Sequence, residues 1–351
     1  MLNYIDKIYE NMELKEGKQV IQNTLINIYL CEGISTKELS RNNLLPLPLT
    51  AAIKKEAVKL GLAVQDRGVR LTSIGKNLIE KEFGFYDLNI KLYDNLLNSS
   101  IDDFSYVQDV LEDLRIILQQ RPSADVTIDQ SKCTAETALK RAILCLKYSG
   151  LIGKNILCIG DDDFISVALG LLLKKLYGSI SNCKSSICVV DIDERILDTI
   201  SHIAEEFKLP ITCIKSDLRD SLNKDLVNNY NCLFTDPPYT LPGIKLFLSR
   251  GLEGLNRDSS STIFLSYGHK SPDFDLSLQN YFREMGLVIS EIIPKFNTYE
   301  GASLIGNMSQ MTILKTTESS KTLVDGSYEK PIYTKDFKKS AHSYESKVTV
   351  L

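Results

Sequence analysis

From residue 154 onward, short apolar runs alternate with longer stretches whose apolar residues recur at helical spacing. The runs NILCIG, SICVVDID, ITCIKSD, NCLFTDPPY, STIFLSYG, LVISEII and MSQMTILKT predict strands. FISVALGLLLKKLYG, RILDTISHIAEEFK, GIKLFLSRGLEGL and LQNYFREMG predict helices between them. Such alternation belongs to a parallel sheet covered by helices on both faces. The last two strands have no helix between them. They are expected to pair as an antiparallel hairpin around EGASLIGN.

The preceding sequence has a different rhythm. Residues 14–82 read as three helices, the second capped by Ser35 or Thr36, then a short β-ribbon and a closing helix. That order is the winged helix-turn-helix plan, and its third helix carries Lys54, Lys55 and Lys59. The expected layout is therefore a winged-helix-like domain over residues 1–82 and a helical connector over 83–130. A Rossmann-like α/β domain follows over 131–315, and a flexible polar tail over 316–351. A Rossmann-like sheet ending in a hairpin is the class I S-adenosylmethionine-transferase plan, which is analogy at the level of fold.

Composition narrows the picture in a few places. The chain has 351 residues, 43% hydrophobic and 25% charged, enough for two domains. A formal net charge of -4 gives no global pull toward nucleic acid or an anionic membrane. No apolar run reaches the roughly 20 residues of a membrane span, and MLNYIDKIYENMELKEGK is too charged for a signal peptide. The eight cysteines show no CxxC and no Cys/His spacing suited to a metal; Cys158, Cys188, Cys213 and Cys232 fall inside apolar strands. Buried reduced thiols in a cytoplasmic, metal-free protein are the expectation.

The candidate chemistry sits at the carboxyl ends of the strands, where open α/β sheets bind ligands. A dinucleotide fold places glycines after its first strand, so that backbone amides hold a pyrophosphate. Here Gly160 is followed by Asp161, Asp162 and Asp163, which repel phosphate and favour a cation. Asp191, with Asp193 close behind, is placed to accept from ribose hydroxyls, or else to cap the next helix. Asp217 can accept from an adenine amino group, with Leu218 against the ring. Asp161 and Asp162 face the reactive end as ammonium anchors or proton acceptors. Asp163 either joins an acceptor pocket or caps the following helix.

In Asp236-Pro237-Pro238-Tyr239, two prolines fix the backbone so that the carboxylate aims at an amine on which the tyrosine packs. This tetrapeptide is a signature of amino-methyltransferases. Alkylating an amine with a sulfonium needs that amine neutral and in line with the electrophilic carbon, so positioning and proton removal carry the catalysis. Tyr267 and Glu300 offer aromatic and acidic contacts to a cationic chain. Each also fits an ordinary strand-end or loop residue.

GDDD followed by VVDIDER and DPPYT, with RPSADVTIDQSKCTAET upstream and the winged-helix-like N-terminus, resembles the branched-chain polyamine synthase family (bis(aminopropyl)spermidine synthases). The resemblance covers roughly residues 20–315. It implies aminopropyl transfer from decarboxylated S-adenosylmethionine to an amine of a polyamine, releasing methylthioadenosine. It also implies an aspartate of residues 160–163 as base or ammonium anchor, and Asp236 to Pro238 as the family's DPP motif. A donor without its carboxylate is cationic at its aminopropyl end, which suits an acid-lined turn. Tyr239 stands where acidic residues are expected from thermophilic members, so an acceptor other than spermidine stays open, as does a homodimer. The rival readings are an amino-methyltransferase acting on nucleic acid or protein, against which the acidic strand ends argue, and a non-catalytic winged-helix regulator that senses a nucleoside.

Overall fold

Runs rich in Ile, Val, Leu and Cys build an eight-stranded mixed sheet, and helices cover both of its faces. The computed structural model describes residues 4–256, 260–301 and 306–336. The N-terminal part comprises α1 (Tyr4–Met12), α2 (Lys18–Leu30), α3 (Thr36–Asn42), α4 (Leu47–Lys59), the antiparallel ribbon of β1 (Ala63–Gln65) and β2 (Val69–Leu71), and α5 (Ser73–Asn77), which runs into a π-turn at Leu78–Glu82. Ser35, rather than Thr36, caps α3, in a reciprocal capping box with Glu38. Then come α6 (Ile90–Asn98) and α7 (Gln108–Ile117), shorter than the apolar spacing suggests.

The remaining elements are β3 (Lys132–Cys133), α8 (Ala135–Lys147), β4 (Asn155–Ile159), α9 (Ile165–Tyr177), β5 (Ser186–Asp191), α10 (Glu194–Phe207), β6 (Ile211–Lys215), β7 (Cys232–Thr235), α11 (Leu241–Gly254), β8 (Thr262–Tyr267), α12 (Pro272–Glu284), β9 (Leu287–Glu300) and β10 (Met308–Thr316). The sheet runs β3-β9-β10-β8-β7-β4-β5-β6. From β8 to β6 every pairing is parallel, whereas β10 pairs antiparallel with both β8 and β9. The expected hairpin is therefore present; its tip, residues 302–305, lies outside the described residues.

The period-2 alternation of β4 divides the interior in two. Ile156 and Cys158 join the core formed with α8, α9 and α10, and Leu157 and Ile159 join the core under α11 and α12. Ile21, Leu25, Ile28 and Ile53 of the N-terminal helices belong to the first of these cores, so they pack continuously with the sheet. Cys158, Cys188 and Cys232 are buried, Cys213 is half-buried, and all eight cysteines are free. No helix among the described residues is long and apolar enough to cross a membrane.

Three departures from the sequence expectation bear on the site. The two-residue strand β3 pairs Lys132 and Cys133 with Glu300 and Tyr299, in a segment without strand periodicity. β9 continues through KFNTYE, so Glu300 ends a strand instead of sitting in the loop, and it is exposed opposite Lys132. Residues 317–336 of the expected polar tail are packed: Val324, Ile332 and Tyr333 are buried in the second core, and Arg250 donates to the carbonyl of Gly326 at 2.6 Å. A few apolar residues, spaced too irregularly to register as an element, hold that segment down.

The N-terminal part meets the sheet at Gly153, whose φ is +65° and whose absent Cβ would lie 2.3 Å from the carbonyl oxygen of Phe83. Left-handed backbone alone costs a non-glycine residue roughly 1–2 kcal/mol, and the clash adds to it. Gly153→Ala is expected to destabilise the protein by about 2 kcal/mol or more, read as a lower urea midpoint at unchanged slope.

Candidate active site

The carboxyl edge of the parallel strands is organised by the turn after β4. Gly160 takes φ +69°, and a Cβ there would come within 3.2 Å of Phe247. Its N–H donates to the carbonyl of Val190. The following amide, of Asp161, donates to Asp191 Oδ2 at 3.0 Å, and Asp191 Oδ1 accepts from the Asp193 amide at 2.9 Å. Asp191 thus ties the ends of β4 and β5 together. Asp193 caps α10, pairs with Arg195 and accepts from Gln130.

The three consecutive aspartates have three different environments. Asp161 turns inward and accepts from the first amides of α9, Ile165 N at 2.7 Å and Ser166 N at 3.1 Å. Burial pushes its carboxyl up to about 7, and those amides pull it only partly back. Asp163 is buried and accepts from the Cys133 amide at 2.5 Å and from Arg141 Nη1 at 2.8 Å. Asp162, between them, is partly open and accepts from the Ser131 amide at 2.8 Å through Oδ2. Its Oδ1 has no hydrogen-bond partner among the described residues. Burial, then the neighbouring charges of Asp163 and Asp236, raise its carboxyl well above the usual range.

Asp236 follows β7, with Pro237 and Pro238 buried behind it. Its Oδ2 accepts from Arg141 Nη2 at 2.9 Å and from the Tyr299 hydroxyl at 2.6 Å; its Oδ1 accepts from the Tyr239 hydroxyl at 2.9 Å. Tyr239 and Tyr299 also touch each other through their hydroxyls at 3.1 Å. Burial, with Asp236 alongside, raises both phenols well above their ordinary value, so both remain protonated donors.

Arg141 of α8 joins these groups. It is fully buried and bonds Asn297, Asp163, Asp236 and Tyr299 at 2.8–3.0 Å. Sequence reasoning missed Arg141, Asn297 and Tyr299. The available signal was an arginine in the apolar face of TALKRAILCL and polar residues in the apolar run of β9, since a buried charge requires partners.

Two cavities meet at Gly160. One is lined by Gly160, Val190, Asp191, Ile192, Asp217, Leu218, Phe247, Ile332 and Tyr333, and so gathers four of the residues expected to hold a nucleoside. Asp193 does not line it. The other is lined by Arg141, Asp161, Asp163, Thr235, Asp236 and Ser266, among others. Tyr267 is buried in the sheet, its phenol raised by burial, and Glu300 points to solvent; neither lines either cavity. Among the described residues no group of three or more His, Cys, Asp or Glu side chains is arranged to hold a metal ion.

The model of the branched-chain polyamine synthase A C-terminal domain matches residues 109–350. The chain belongs to the branched-chain polyamine synthase family. It is 38% identical over 312 residues to an uncharacterised protein of Methanocaldococcus jannaschii, covering 86% of this chain and 75% of that one. It is 30% identical over 306 residues to the N(4)-bis(aminopropyl)spermidine synthase of Thermococcus kodakarensis, covering 85% and 83%. The crystal structure of the branched-chain polyamine synthase of Thermus thermophilus, in complex with N4-aminopropylspermidine and 5'-methylthioadenosine, shares its fold with a TM-score of 0.57 at 21% identity, over 95% of this chain and 97% of that one.

Removing the guanidinium would leave Asp163 and Asp236 buried without their cation. Arg141→Met is expected to cost about 3–5 kcal/mol of stability, measured by denaturant unfolding. The acidic turn also sets a pH dependence. Asp161 holds its proton to about 7 when folded, against an ordinary value of 3.8. Its contribution is therefore fully present below 3.8 and is lost as the pH rises through 7, an effect on the order of 4 kcal/mol. The ligand-free protein should unfold at a lower urea concentration at pH 8 than at pH 5, with a flatter dependence in Asp161→Asn.

Proposed function

We propose that the protein is an aminopropyltransferase that moves the aminopropyl group of decarboxylated S-adenosylmethionine onto an amine of a polyamine such as spermidine. Methylthioadenosine is the other product. One observation carries this reading: Asp161, Asp162, Asp163, Asp191 and Asp236 crowd one sheet edge with Arg141 as their buried cation. Such a surplus of acid attracts a polycation, and it would repel a phosphate or the carboxylate of ordinary S-adenosylmethionine. The names of the relatives and the ligands of the Thermus structure support the same chemistry.

In this reading the nucleoside occupies the cavity from Gly160 to Asp217 and Leu218, and the sulfonium lies over Gly160 toward Asp236. A neutral amine of the acceptor attacks the carbon next to sulfur. The new C–N bond forms as the C–S bond breaks, methylthioadenosine leaves, and the amine proton passes to a carboxylate. Asp162 is the proton acceptor we favour, because Asp161 and Asp163 spend their oxygens on α9, Cys133 and Arg141, while Asp162 keeps one oxygen free. A raised carboxyl also makes it a better base than an ordinary aspartate. Asp236, held from three sides, positions the acceptor. We read the N-terminal helices and ribbon as a winged-helix-like unit that caps the sheet and not as a DNA reader; Lys54 already donates to Thr36, and Lys59 pairs with Glu56.

A product assay by mass spectrometry, with spermidine and either donor, tests this directly. Methylthioadenosine and a polyamine heavier by aminopropyl units are expected with the decarboxylated donor alone. S-adenosylhomocysteine from the ordinary donor would replace the reading by methyl transfer. Asp162→Asn should lower kcat by about 100-fold or more with methylthioadenosine affinity nearly unchanged. Undiminished turnover in that variant would remove Asp162 from the role of base.

A further inference from the structure

On the opposite side of the molecule, where the N-terminal helices meet the start of β4, lies a third pocket, whose charged lining residues are Lys154 and Glu82. It is lined by Gln19, Gln22 and Ile26 of α2, Phe83, Phe85 and Tyr93 of the connector, and Ser149, Lys154 and Asn231 of the sheet's amino edge, among others. Its volume of about 120 Å³ has room for several water molecules or one small polyatomic ion.

Lys154 decides its chemistry. Its Nζ donates to Gln19 Oε1 at 2.7 Å and Gln22 Oε1 at 2.9 Å, and it has no ion pair among the described residues. An ammonium has three N–H donors, so one is left over. The carboxamide nitrogens of Gln22 and Asn231 and the Ser149 hydroxyl likewise lack hydrogen-bond partners among the described residues. Lys315, close enough to repel Lys154, donates to the Thr262 hydroxyl at 2.5 Å, lies over the Tyr148 ring at 5.7 Å, and has no ion pair among the described residues. Burial depresses the Lys154 ammonium to about 8, opposed in part by the Cys232 thiol and helped by a smaller push from Lys315. The other acid–base groups at the pocket are the Tyr93 phenol, raised by burial and uncharged, and the exposed carboxylate of Glu82 at the rim, which makes no ion pair with Lys154. Half-buried donors free to bond a ligand in place of water, beside an ammonium without an ion pair among the described residues, are a recognition set for an oxyanion. Phe83, Phe85 and Ile26 supply a wall for a short apolar stem.

We infer that the pocket between α2 and the start of β4 is a binding site for a small oxyanion, a phosphate or short-chain carboxylate, held by the Lys154 ammonium with Gln22, Asn231 and Ser149. An occupant there bridges the N-terminal helices to the strand that ends in the catalytic turn. Binding favours the protonated lysine, so affinity is greatest below about pH 8 and falls above it. The inference does not depend on the proposed transferase activity.

The test is the melting temperature of the full chain titrated with sodium phosphate or sodium butyrate, against sodium chloride at equal ionic strength. A saturable rise with at least one oxyanion at pH 7, diminished at pH 9.5, is expected. The phosphate and butyrate arms tell which head group is preferred. Lys154→Met should abolish the rise. Gln22→Glu, which supplies an internal carboxylate, should abolish it in a folded protein whatever Lys154→Met does to folding. No saturable rise in the natural protein, or one that survives Gln22→Glu, would overturn the assignment.

Discussion

The buried guanidinium of Arg141 is the constraint on which the carboxyl edge of the sheet depends. A fully buried cation is tolerable only when it is paired and hydrogen-bonded on every side. Here the partners come from elements far apart in sequence: Asp163 after β4, Asp236 after β7, and Asn297 and Tyr299 in β9. One side chain of α8 therefore fixes the relative positions of the acidic turn, the DPPY tetrapeptide and the long hairpin strand. Buried ion networks of this kind contribute little net stability over apolar residues of similar volume; what this one supplies is the register that holds Asp236 in place.

The same network explains why adjacent aspartates are chemically unequal. With Asp163 paired to Arg141 and Asp161 folded back onto α9, only the middle residue retains an oxygen without a partner among the described residues. Burial, and after it the nearby carboxylates of Asp163 and Asp236, raise its proton affinity. A cationic ligand reverses that cost. The acidic turn is thus strained electrostatically, and any cation bound there relieves it with release of protons.

Much of this arrangement was legible in the sequence. The strand–helix alternation from residue 154, the terminal hairpin and the acidic strand ends all follow from local pattern, because each strand's apolar run stops where its ligand-facing residue begins. Gly160, Asp191, Asp217 and Leu218, the strand-end residues that pattern singles out, line one cavity. What escaped was non-local. Lys132 and Cys133 form a strand only because Glu300 and Tyr299 lie alongside. Arg141 sits inside an apolar helix face, where local pattern gives no hint of carboxylates arriving from strands distant in the chain. Ile332 and Tyr333 dock onto the cavity beside Gly160 and Asp191 through isolated contacts that leave no period to detect.

The two ends of the sheet carry opposite chemistry for a related reason. Parallel strands present all their carboxyl ends on one edge, so carboxylates following β4, β5 and β7 necessarily cluster there, whatever their individual roles. The amino edge collects the residues that precede strands, and Lys154 is one of them. Five residues of β4 span roughly 16 Å, too far for Lys154 to pair with the acids at the other end of the strand, and its ammonium is met instead by the carboxamide oxygens of Gln19 and Gln22.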